Sequence, residues 1–155
     1  LFLLILPQII SKGVIVGSDF LFHYNRFYET AMQIKTGNFS YFISLYGFYS
    51  SGRIVNALYG PYFAYFQGLL VLISRNWYTY QLVSRFLLSV IAGFSMYRLT
   101  RRVAVKPKIS LAIAIFYMMT FSVQYWTFRQ GFSSWGAAFM PWCMIPAIDF
   151  VKTKK

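Results

Sequence analysis

Acidic side chains are scarce: three Asp and Glu stand against 15 Lys and Arg in 155 residues, with one His and one Cys. A single Cys excludes an intrachain disulfide. Cys143 stands alone in an apolar run and reads as a buried, inert thiol. One His and three scattered acids form no metal-ligand spacing, so the sequence does not ask for a metal; a divalent ion at an acidic residue stays open and the cofactor is unknown. Charged residues of both signs make up only 12% of the chain, too little to cover a soluble domain of this length.

What fills the chain instead is apolar. Hydrophobic residues reach 58% and aromatics 22%, led by 17 Phe and 13 Tyr, and the mean hydropathy is +0.52. Bilayer is therefore the expected solvent, with Tyr and Trp at the level where acyl chains meet headgroups. The net charge of +12 would suit nucleic acid. However, the basic residues gather at the ends of apolar runs, where they contact headgroups and set topology, so nucleic acid is excluded as a partner.

The fold class expected is all-α, a polytopic transmembrane helix bundle with an amphipathic surface helix in its first long loop, and residues 1–155 read as one membrane domain. The chain opens inside an apolar run too short to span and closes on Lys-Thr-Lys-Lys. The expectation is a piece of a longer protein, with residues 1–10 the tail of a first transmembrane helix. A long connection follows, from about Ser11 to Arg53. Its first half predicts a helix over 18–36, with Ser18 or Asp19 as N-cap and Gly37 as the stop. At about 100° per residue, Asp19, His23, Arg26, Thr30 and Gln33 share a narrow polar stripe. Phe20, Tyr24, Phe27 and Ala31 form the neighbouring apolar face, so the helix is expected to lie on the membrane with that face down. Residues 38–51 suggest a short interfacial segment. Four apolar runs come next, at about 54–74, 77–97, 109–126 and 136–151, each close to the ~17–25 residues a spanning helix needs. Pro141 and Pro146 should kink the last.

Few residues can carry chemistry. Asp19, beside an aqueous loop, can serve as a general base or hold a hydroxyl group or metal, and equally can cap the helix behind it. His23 and Arg26 either form a charge-assisted network with Asp19, in which Arg26 offers a fork of donors to phosphate, or simply make up a solvated polar face. Glu29 lies three residues after Arg26 and pairs with it in the simplest reading. Arg85 falls inside an apolar run; it either faces a polar cavity or snorkels to the interface. Asp149 is expected to pair with Lys152, and Arg129 to be an ordinary loop charge. Asn38-Phe39-Ser40 matches a glycosylation pattern too short to carry weight.

Taken in order, Gly17-Ser18-Asp19 opening the surface helix, the Tyr/Pro-led segment ALYGPYFAYFQGLLVLIS, and Ser84-Arg85-Phe86 early in the next helix form a familiar sequence of features. So does the Pro-containing GAAFMPWCMIPAIDF. This order resembles the N-terminal part of GT-C-type membrane glycosyltransferases and covers nearly the whole chain. The resemblance implies transfer of a sugar from a polyprenyl-phosphate donor to an acceptor outside the cytoplasm, at a bacterial plasma membrane. Asp19 would be the catalytic base in an extracytoplasmic loop, and His23, Arg26 and Arg85 the substrate or phosphate contacts. Many members carry two neighbouring acids at this point, whereas Asp19 is flanked by Ser18 and Phe20. A fragment of such an enzyme is not expected to act alone, and its oligomeric state is unknown.

Charge placement pulls the other way. If every later run spans, then Lys12, Arg26, Lys35, Arg53, the Arg98–Lys108 cluster and the C-terminal lysines share one side, against Arg75 and Arg129 opposite. That bias would make the Asp19 side cytoplasmic. The conflict dissolves if 54–74 is re-entrant or interfacial. Two other classes stay open: a transporter or flippase-like carrier, which would use Arg85 as a substrate contact, and a non-catalytic membrane assembly subunit.

Overall fold

The computed structural model describes the chain apart from Leu1, Ser18, Lys154 and Lys155 and the side chains of Phe2, Thr127 and Phe128. The described residues hold helices joined by irregular connections, with no strand. In chain order the helices are α1 (Phe2–Ser11), α2 (Phe20–Thr36), α3 (Asn56–Tyr59), α4 (Pro61–Ser74), α5 (Trp77–Arg102), α6 (Pro107–Met118), α7 (Phe121–Arg129) and α8 (Ser133–Thr153).

Local chemistry sets these boundaries. Asn76 opens α5 by accepting from Thr79 N at 2.8 Å, while Arg101 and Arg102 complement its C-terminal dipole. Pro61 and Pro107 sit in the first turns of α4 and α6, where a missing N–H costs nothing. Gly37 ends α2 at φ 71°, its N–H returning to Gln33 O, as the sequence led us to expect.

Helix α5 is the spine. It packs on α8, α6 and α4 and touches α1 and α7, while α2 lies chiefly against α4. The α2–α4 crossing is close: Thr30 Oγ1 donates to Ala64 O at 2.7 Å, and a Cβ on Gly68 would come within 2.8 Å of Ala31 N. Two ends of the molecule follow. At one, Gln81 near the start of α5 meets Gln8, Ile15, Tyr24 and Gln130. At the other, Arg102 closes α5 with a bidentate pair to Asp149 of α8, at 2.5 and 2.8 Å. Asp149 therefore takes a partner from another helix rather than Lys152, whose Nζ donates to Arg102 O.

Among the described residues, two stretches are by length and composition apolar enough to cross a membrane, Trp77–Arg102 and Pro107–Trp126. The second takes in α6 and much of α7 across a break at Met119–Thr120. The run at 54–74 is not one helix. It breaks at Gly60, φ 77°, and leaves α4 with 14 residues, about 21 Å at ~1.5 Å per residue and short of a ~30 Å hydrocarbon core. The surface is strongly apolar, with Leu111, Ile115, Phe116, Phe121, Met140 and Phe150 all exposed, and Cys143, expected to be buried, is exposed as well. The interior meanwhile holds Gln8, Gln33, Gln67, Gln81, Ser84 and Arg85. Such a surface suits an apolar surrounding, as does polar glue between helices.

Helix α2 departs from the expected surface helix. Its apolar face is buried at Tyr24, Phe27 and Ala31, yet so is its polar side at Arg26, Glu29, Thr30 and Gln33. Leu21 and Tyr28 are left outside, 69% and 42% exposed. The connection at 38–60 and α4 cover the polar stripe from Arg26 to Gln33, so only its head, the exposed Asp19 and the half-buried His23, stays open.

Glu29 explains how. Its carboxylate does not pair with Arg26. It accepts from Leu45 N (2.8 Å), Tyr46 N (2.6 Å) and Gly47 N (2.5 Å), and from Gln33 Nε2 (2.7 Å). Asn25 Oδ1 extends the row by accepting from Phe48 N at 3.0 Å. These bonds hold a left-handed turn in which Phe48, Tyr49 and Ser50 have φ of 54–57°. A non-glycine residue held there costs roughly 1–2 kcal/mol. Glu29→Gln should therefore destabilise the protein by about 1–3 kcal/mol, since an amide cannot replace both acceptor oxygens. Hydrogen exchange at amides 45–47 should accelerate, and unchanged protection there would contradict the clamp.

Candidate functional site

The head of α2 gathers the side chains with chemical potential. Asp19 occupies the N-cap position, and its main-chain carbonyl accepts from His23 N at 3.1 Å. Its side chain makes no capping bond and is exposed, so the capping role stays unused. The alternative cap, Ser18, lies outside the described residues. Gly17 packs directly on the Arg129 main chain at the end of α7; a Cβ there would collide with the carbonyl group. That contact ties Gly17 to the end of α7 and explains a glycine in this place.

One turn along, His23 is half-buried against aromatic rings, with Phe132 at 4.6 Å and Phe22 at 5.3 Å between centroids. Its Nδ1 stands 3.2 Å from an Arg26 terminal nitrogen. Burial lowers its pKa to about 4, the Arg26 charge adds to the depression, and the Asp19 charge acts in the opposite sense. The ring is thus neutral at physiological pH. Nδ1 accepts from the guanidinium, which leaves Nε2 to carry the proton.

Arg26 is almost wholly enclosed. Nε donates to Asn56 Oδ1 at 3.1 Å and a terminal nitrogen to Tyr59 O at 3.3 Å. Its guanidinium carbon also sits 5.0 Å from the centre of the Tyr59 ring. Burial draws its pKa down to about 10, which still leaves a cation at neutral pH. The charge has no carboxylate partner among the described residues, whose ion pair is Arg102–Asp149. It is shared instead among a carbonyl, an amide, a ring and an imidazole. Much of the fork foreseen for phosphate is occupied by the protein itself. An acidic group near Asp19 would therefore meet a positive field rather than a free pair of N–H donors.

The donor set does not fit a divalent cation. One carboxylate and one imidazole whose Nδ1 already faces a guanidinium make a poor site, since the adjacent charge repels a metal. Among the described residues, no three His, Cys, Asp or Glu side chains gather.

Arg85 lies elsewhere. It is 3% exposed on α5, donating to Gln8 Oε1 at 2.6 Å and to Leu4 O of α1. It lines a cavity of about 590 Å³ with Leu4, Pro7, Gln8, Met119 and Gln124. Of the two sequence readings, the structure takes the polar one: Arg85 turns inward and does not snorkel. Asp19, His23 and Arg26 come together, and Arg85 stays apart from them.

Several organising residues escaped the sequence. Asn56 opens the four-residue α3, Phe132 sits in the α7–α8 turn, and both touch the site through tertiary contact. Gln8, Gln81 and Gln130 form a bonded chain with Tyr24: Gln8 Nε2 donates to Gln81 Oε1 at 2.6 Å, and Gln81 Nε2 to the Tyr24 hydroxyl at 2.7 Å and Gln130 Oε1 at 3.2 Å. A faint signal existed, since a Gln within an apolar run must find a partner.

The His23 pKa yields a signed expectation. Its folded value of about 4 lies below 6.5, so between those values the unfolded chain binds the extra proton. Stability should be full above about pH 6.5 and decline as pH falls toward 4. His23→Gln should flatten that slope. NMR titration of the ring, together with melting across this window, checks both.

No family model, no curated protein and no solved structure matches this chain.

Proposed function

We propose that the chain is part of a multi-pass membrane protein that transfers a sugar from a polyprenyl-phosphate donor to an extracytoplasmic acceptor. Asp19 is its general base. The observation that carries this reading is the uncommitted Asp19 carboxylate. It stands exposed at the head of a helix whose other acid, Glu29, is consumed by the fold, beside a neutral His23 and a carboxylate-free Arg26. In the reaction, Asp19 takes the proton of an acceptor hydroxyl as that oxygen bonds to the anomeric carbon. The bond from that carbon to the donor phosphate breaks, and the phosphate keeps the electron pair. The Arg26 charge stabilises the anion that builds up nearby, and attack from the opposite face inverts the sugar.

Topology supports the same reading. Charge bias acts through short connections, and the chain between α1 and α5 exceeds the ~60 residues over which it operates. At the short connections, Arg98, Arg101, Arg102, Lys106, Lys108 and Lys152 gather where α5 and α8 end, while Arg129 alone flanks the α7–α8 turn. With α4 too short to cross, this charge pattern favours a cytoplasmic basic end and an external Asp19. In a Cys143→Ser background, a membrane-impermeant thiol reagent should label Asn38→Cys in intact cells and spare Ala104→Cys. The reverse pattern would defeat the orientation.

Arg85 favours a second reading. A buried cation without a carboxylate, inside an apolar helix and beside a cavity, suits the passage of an anionic solute or lipid. The two separate by mutation in the full-length protein. Asp19→Asn should lower sugar transfer by about 10²–10⁴-fold with normal insertion. Unimpaired transfer by that variant would remove the base, and solute uptake lost in Arg85→Met alone would favour a carrier.

A further inference from the structure

On the outer side of α2, a trough of about 710 Å³ runs between this helix, the end of α4 and the start of α5. Its volume falls within the ~300–1,000 Å³ usual for ligand sites. Ala31, Met32, Val71 and Leu72 supply its apolar lining, with Tyr28 and Trp77 beside them and the exposed Lys35 and Arg75 at its edge. A smaller hollow of about 320 Å³ shares Tyr28 and Trp77 and continues along Phe20 and Leu21.

The rim charges are unmatched. Lys35 and Arg75 are exposed and make no ion pair among the described residues. Nor can the protein readily supply a counter-charge: Glu29 is enclosed by its loop, Asp149 is bound at the far end, and Asp19 sits at the opposite end of α2. Arg75 also holds φ 61°, a left-handed value that glycine would adopt at less cost while losing the guanidinium. Two cations above an apolar floor, flanked by a Tyr and a Trp where α5 begins its apolar span, match a headgroup phosphate above an acyl chain.

We propose that this trough seats an anionic phospholipid of the bilayer, its phosphate between Lys35 and Arg75 and one acyl chain along Ala31, Met32, Val71 and Leu72. The hollow beyond Trp77 offers room for the second chain. The site would anchor α2 to the outer leaflet and so fix the height of Asp19 above the membrane. It rests on the membrane insertion and orientation proposed above and not on sugar transfer.

The test uses the full chain reconstituted into phosphatidylcholine vesicles with and without phosphatidylglycerol, with co-purifying lipid counted by mass spectrometry after an alkaline wash. Wild-type protein should retain phosphatidylglycerol over phosphatidylcholine. The double variant Lys35→Gln/Arg75→Gln should lose roughly tenfold of that preference. The charge-keeping pair Lys35→Arg/Arg75→Lys should retain it, as should Arg98→Gln/Lys108→Gln at the other end. Met32→Trp, which fills the floor but spares both charges, should lose it. Equal retention by the double variant, or equal loss on neutralising the far end, would overturn the site, as would displacement of the lipid by inorganic phosphate alone. A wild-type chain that stays with vesicles through the wash without preferring phosphatidylglycerol would overturn the lipid site alone. A chain released by the wash would overturn the membrane reading and the site with it.

Discussion

Taking a carboxylate out of water costs several kcal/mol unless its oxygens recover hydrogen bonds in full. Glu29 meets that condition with three consecutive main-chain N–H groups and one Gln amide. The rest of the site depends on this arrangement. By anchoring residues 45–47 to the middle of α2, it folds the long connection back over the helix and holds the left-handed turn at Phe48–Ser50. The chain is then positioned to bring Asn56 and Tyr59 onto Arg26. Without the clamp, the polar side of α2 would face outward, and Arg26 would be a solvated charge on an ordinary amphipathic helix.

Polar contacts also join α2 to the spine. The Gln8–Gln81–Gln130 chain, closed by the Tyr24 hydroxyl, links α1, α2, α5 and the end of α7 at a single level. Phe132 wedges beneath, 3.8 Å from the Trp126 ring and 4.8 Å from Phe27 by centroid. Amides therefore do at one end of this molecule what an ion pair does at the other, where Arg102 meets Asp149. In an apolar surrounding such bonds have no water to compete with them, so a few fixed partners can set how helices meet. Asp19 stays outside both networks, and this is why it alone among the three acids is available for chemistry.

Much of the architecture was legible because it follows from periodicity and punctuation. Asp19 and Gly37 bracket α2 as the pattern implied. The runs at 77–97 and 109–126 correspond to the two long apolar stretches, the first reaching five residues further to Arg102. The break at Gly60 was harder to see, since hydropathy averages over a window and does not register one left-handed residue. Partners were the least legible. Glu29 and Asp149 each have a basic residue three positions away, the spacing that pairs charges on a helix, yet both bond elsewhere. Local pairs contribute only ~0.2–0.5 kcal/mol, and tertiary packing offers geometries that win by more.

By itself the sequence determined the inventory: a chain rich in apolar residues and poor in charge, helical by period, with three acids to place. Those properties are sums over residues and need no coordinates. Tertiary structure decided which acid is enclosed and which stays free, that the polar stripe of α2 turns inward, and that Arg85 faces α1 rather than water. These outcomes rest on main-chain N–H groups and side-chain amides from segments distant in sequence. Whether they converge on a given carboxylate or guanidinium depends on the path of the intervening chain, which no local pattern encodes.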